Sequence, residues 1–75
     1  MKRYYEFTLT NSNGKNNYFL IDITKITVMT HNSDEGLHGT TMVAFNEDKY
    51  SFSGENNKTI YDNVALLMRQ LETGE

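Results

Sequence analysis

Between Lys2 and Thr10 apolar and polar positions alternate, with Tyr5, Phe7 and Leu9 on one side and Tyr4, Glu6 and Thr8 on the other. Period two with aromatic and β-branched residues predicts a half-buried strand. The Asn-rich stretch from Asn11 to Asn17 has Asn13-Gly14 within it, a pair that accepts the positive φ of a hairpin turn. Tyr18 to Ile21 is then expected to return antiparallel. Ile23 and Ile26 stand three apart, which suits a tight corner over 22–25 better than continued extension. A third strand is expected from Lys25 to Thr30, with Ile26 and Val28 on one face. The polar stretch 31–39, with Gly36 and Gly39, reads as a loop. Thr40 to Phe45 predicts a fourth strand with Val43 and Phe45 inward. After a turn at 46–49, Tyr50 to Ser53 predicts a fifth.

The period then changes. Ile60, Val64, Leu67, Met68 and Leu71 recur at the spacing of one helical stripe. Thr59 with Asp62 has the spacing of a capping box, and Gly74 follows the stripe where a helix would stop. The fold class expected is α+β: an antiparallel β-meander of about five strands with one C-terminal α-helix packed on one face. Residues 1–75 read as a single domain without linker or repeat.

A chain of 75 residues has a thin core, and without cysteine it has no disulfide to reinforce it. Self-association is the remaining remedy. Alternation places Leu20, Met29 and Met42 on the face opposite the helix, where apolar side chains need a cover. These three are therefore the expected oligomer interface. Lys2 to Arg69, the basic residues are scattered, and the net charge is −3. General nucleic-acid binding, which needs a basic face, is not expected. Neither is membrane insertion. With no export signal read at the start, the cytoplasm is the expected location.

Candidate chemistry is sparse. His31 and His38 bracket Asp34 and Glu35, but the spacing and the glycines give a floppy chelate, so a solvated loop is expected and no metal or other cofactor. Asn32, Asp34 and Gly36 lack the acidic ladder and closing Glu of a calcium loop. No nucleophile elbow, phosphate-binding glycine loop or paired catalytic carboxylates is present, so the chain is not expected to be an enzyme. Asn57-Lys58-Thr59 fits the glycosylation pattern but reads better as the start of the helix. Tyr4, Tyr18 and Tyr61 fall on or beside faces expected to be exposed, where tyrosine either serves contact or merely shields a small core. With Arg3 and Arg69 they form the expected ligand- or partner-binding set.

The order of these signals resembles that of FlbD-type small flagellar proteins over most of the chain. The residues concerned are Leu9-Thr10 before Asn13-Gly14, Leu20, the corner from Ile23 to Ile26, and Tyr50 ahead of a helix. The stretch around Asp34 and the Asn-rich first turn depart from that layout, and no function follows from it. The chain is expected to be a small non-enzymatic binding protein that acts as a homo-oligomer by occupying a protein partner. Its size, acidity and abundance of Asn, Lys, Tyr, Ile and Phe, residues with AT-rich codons, suit a phage or mobile-element accessory protein that inhibits a host defence or regulatory protein. One alternative is a sponge for a nucleotide-like signalling molecule at a subunit interface, with tyrosines stacking and Lys2, Arg3 or Arg69 on phosphate. Another is a structural or assembly adaptor.

Overall fold

A computed structural model describes residues 3–10 and 13–73. The parts of the sequence reading that rest on Lys2, Asn11, Ser12 and Gly74 lie outside them. The chain forms β1 (Tyr4–Thr10), β2 (Asn16–Asp22), a 3-10 turn (Ile23–Lys25), β3 (Ile26–Asn32), β4 (Thr40–Phe45), β5 (Asp48–Ser53) and α1 (Asn57–Thr73). The α+β class with antiparallel strands and one C-terminal helix is as expected. The strands divide, however, into two sheets, β1-β2 and β3-β4-β5.

The division follows from the corner. Asp22 caps the 3-10 turn by accepting from the Thr24 amide, and Ile23 is buried there while its own amide donates to the Arg3 carbonyl at 2.9 Å. Anchored in this way, the chain leaves the corner in a new direction, and β3 does not pair with β2. The β1-β2 hairpin keeps the expected alternation, with Phe7 directly opposite Phe19. Both rings meet Phe52 of β5 edge-on, at 5.1 and 5.4 Å between centroids. Tyr5 at the other end of β1 accepts a hydrogen bond from Asn63 of the helix. Helix α1 itself packs on the 3-10 turn, β3 and β4. Hairpin and helix thus cover the same side of the three-stranded sheet, around a core of Phe7, Ile23, Val43, Phe52, Ile60 and Val64.

Strand β3 departs from simple alternation. Ile26 pairs with Phe45 and Val28 with Ala44, so Thr27 is an extra residue on β3. Such a bulge inverts the phase of every side chain after it. Met29, opposite Val43, therefore packs against the core, whereas Val28 is 50% exposed. This reverses the expected placement of both. Thr27 secures the bulge by donating from Oγ1 to the Ala44 carbonyl at 3.1 Å.

The helix begins earlier than the capping-box spacing suggested. Asn56 accepts the Ile60 amide in the first helical bond, so Thr59 already lies inside the helix. Asp62 pairs instead with Lys58 across one turn.

Candidate functional site

Because the meander is split, β2 and β5 each keep one edge unpaired among the described residues. A groove of about 430 Å³ runs between them, lined by Phe19, Phe45, Tyr50 and Phe52 and flanked by Asp22 and Asp48. Tyr50 is the telling residue. It pairs with Val43 and so points to the inner side of the sheet, yet it is 49% exposed. Its ring meets Phe45 edge-on at 5.9 Å, while the helix packs over β3 and β4 and leaves both rings at the mouth of the core. Tyr18 and Leu20 stand on the outer face of the hairpin beside this mouth, 73% and 66% exposed.

The charges at the groove are unequal. Arg3 binds Asp22 through Nε and Nη2, each 3.0 Å from Oδ2, and its guanidinium lies 5.5 Å from the Tyr4 ring centroid. Arg3 together with the Thr24 hydroxyl holds the Asp22 carboxyl down to about 2, and Asp22 in turn raises the Arg3 guanidinium. Asp48 makes no ion pair among the described residues. The rim therefore offers one unneutralised carboxylate beside an aromatic floor.

A second groove, of about 370 Å³, lies between β3 and α1 and is lined by Thr27, Val28, Met29, Tyr61, Ala65, Met68, Arg69 and Glu72. The five residues expected to bind a ligand are thus separated into two groups. Arg3, Tyr4 and Tyr18 belong to the hairpin; Tyr61 and Arg69 line the helix groove. Lys58 stands 5.0 Å from the Tyr61 ring centroid. Leu20, Met29 and Met42 do not share one face either. Leu20 is on the outer face of the hairpin and Met29 packs against the core. Met42, opposite Thr30, is half-buried on the back of the three-stranded sheet with Val28 and Ala44.

What the sequence reading missed is a buried polar chain at the start of the helix. Asn57 and Thr41 are both fully buried. The Asn57 amide nitrogen faces the carbonyl oxygens of His38, Gly39 and Gly54 at 3.0, 3.0 and 2.8 Å. Those are three acceptors for two hydrogens, so one hydrogen is shared. Thr41 Oγ1 lies 2.8 Å from Asn57 Oδ1 and 3.1 Å from the Asn57 carbonyl, and donates toward them. Its lone pairs are then left for His31 Nδ1 at 3.0 Å, which must carry a hydrogen. A Thr–His pair of this kind resembles a nucleophile and base. Its hydroxyl is nevertheless sealed from solvent and engaged by Asn57, so the cluster fastens the 33–39 loop to the helix. The same burial removes Asn57 as a glycosylation acceptor. Only the abundance of Asn near glycine hinted at this arrangement.

Among the described residues, no three His, Cys, Asp or Glu side chains gather to hold a metal ion, and no helix is long and apolar enough to cross a membrane. No family model, curated protein or solved structure matches the chain.

Proposed function

We propose that the chain is a non-enzymatic binding protein that acts by occupying a protein partner, with the groove between β2 and β5 as its contact. The observation that carries this reading is Tyr50, an inward-pointing aromatic that the protein's own second layer leaves half uncovered. Large rings with polar tips at the edge of an apolar groove contribute much of the energy of protein contacts. Asp48 at the rim selects an apolar segment flanked by a basic side chain. Tyr18 and Leu20 extend the contact onto the hairpin. The internally satisfied His31–Thr41–Asn57 chain supports a role without catalysis. An accessory protein that holds a host protein inactive is the setting this mode of action suits.

The sponge alternative is less well supported. Among the described residues its phosphate-binding cations do not converge: Arg3 is committed to Asp22, and Arg69 lines the other groove.

The test is affinity purification from the source cell with the wild-type chain and with Tyr50→Lys. Circular dichroism and native mass spectrometry are run on both. A protein retained by the wild type and lost from a normally folded Tyr50→Lys variant supports the reading. Retention of that protein by the variant would overturn it, as would a small molecule of a few hundred daltons held by the wild type in its place.

A further inference from the structure

Among the described residues, four strands each present one unpaired edge: β1, β2, β3 and β5. Exposed edges are normally guarded by charge, proline or very short length, because their free backbone groups accept another strand. Three of these edges are guarded by charge. Glu6 lies in β1, Asp22 in β2, and Asp48 and Lys49 in β5. Strand β3, Ile26–Asn32, contains no Lys, Arg, Asp, Glu, Pro or Gly and has seven residues, four of them β-branched.

The helix beside that edge carries a complementary pattern. Lys58, Asp62, Ala65, Arg69 and Glu72 recur four and three residues apart, so they form one stripe along α1. Ala65, Arg69 and Glu72 line the groove against β3, and Lys58 and Asp62 continue the stripe toward the helix start. Read from Ala65 outward, the signs are negative then positive toward the N-terminus, and positive then negative toward the C-terminus. An antiparallel copy rotated about Ala65 sets Lys58 against the partner's Glu72, and Asp62 against the partner's Arg69. The side chains of Arg69 and Glu72 have no ion pair or hydrogen bond among the described residues.

Sheet and helix specify the same rotation. Met29 and Ala65 line one groove, so a two-fold axis at Ala65 passes close to the middle of β3. Strands joined there stand ~4.8 Å apart, and helices lying just inside them come to the order of 10 Å, a normal packing distance with alanine between. We propose that a second copy of this chain docks on the β3 edge. The two three-stranded sheets join antiparallel into one of six strands, and the α1 helices pack across the axis. This isologous contact is separate from the β2–β5 groove and stands without the binding reading above. It also supplies the additional buried surface that a 75-residue core lacks.

Sedimentation equilibrium tests the proposal on the full chain over a wide concentration range. The wild type is expected to reach twice the chain mass. Ala65→Glu puts two carboxylates face to face on the axis and should weaken association at least about tenfold, with unchanged circular dichroism. Should Ala65→Glu disturb the fold, charge exchange serves in its place. Lys58→Glu should weaken the dimer, and adding Glu72→Lys should restore it. In parallel, β3 amides should exchange hydrogen more slowly in concentrated than in dilute protein. A wild-type monomer at all concentrations overturns the proposal, including one whose β3 takes up a strand from another protein. So does a dimer indifferent to these substitutions, or one whose β3 amides exchange at the same rate throughout.

Discussion

Thr41 and Asn57 meet with neither exposed to solvent, the hydroxyl of one 2.8 Å from the side-chain oxygen of the other. A buried amide is tolerated only when its donors and acceptors are matched, and here the matching residues come from β4, the 33–39 loop and the Gly54 turn. Sixteen positions of sequence separate the pair, so the contact ties the helix start to the sheet.

Replacing Asn57 with Ala should therefore cost about 3 kcal/mol or more, since each buried group left without a partner costs ~1–3 kcal/mol. Asn57→Asp should be no better, because a carboxylate would face the carbonyls of His38, Gly39 and Gly54. Urea unfolding measures both. A loss below ~0.5 kcal/mol in either, the range of neutral surface changes, would show that the cluster does not fasten the loop.

Gly39 occupies the tightest point of the same loop. Its φ is +76°, and a Cβ built there would stand 2.8 Å from His31 Nε2 and 2.9 Å from the Asn32 carbonyl oxygen. Gly36 has a similar φ of +71° but open space around it. Both Gly→Ala changes bear the left-handed backbone cost of ~1–2 kcal/mol. Gly39→Ala should lose measurably more stability, and His31 should shift in the NMR spectrum. Equal losses from the two would mean the loop moves away without cost.

The Arg3–Asp22 pair predicts an acid dependence with a definite sign. The Asp22 carboxyl is lowered from 3.8 to about 2 in the folded chain, so the unfolded chain binds its proton first as pH falls. Stability from this group is complete above the unfolded value and is lost as pH descends toward 2. Asp22→Asn removes the titration. Thermal melts should show the wild type's advantage over Asp22→Asn shrinking between pH 4 and pH 2. An advantage that stays constant over that window would mean Arg3 and Thr24 do not hold the carboxylate.

Much of the architecture was legible because it rests on local periodicity. Alternation gave β1, β2, β4 and β5 their faces, and the spacing of Ile60, Val64 and Leu67 gave the helix its buried side. The corner over 22–25 was legible too, from two isoleucines three apart. That corner's consequence, a sheet broken in two, depends on how Ile23 is anchored by Arg3, which no local pattern records. The Asn57 cluster escaped for a related reason. Asparagine at a helix start normally faces water, and only the approach of β4 and the 33–39 loop makes it a core residue. The aromatic groove, likewise, exists only because β2 and β5 come to lie side by side without pairing.

The bulge at Thr27 is where local pattern and structure part most sharply, and it can be tested by two neighbouring substitutions. Unbroken alternation would bury Val28 and expose Met29; the extra residue reverses this, turning Met29 onto Val43 and Val28 outward. Met29→Lys should then cost on the order of 2–5 kcal/mol, through lost packing and a charge forced against the core. Val28→Lys should stay within ~0.5 kcal/mol, as surface changes do. Urea midpoints taken at low protein concentration separate the two without interference from association through β3. The opposite order of sensitivity would place Thr27 in the regular ladder and remove the bulge. It would also return Val28 to the core face and Met29 to the back of the sheet with Met42.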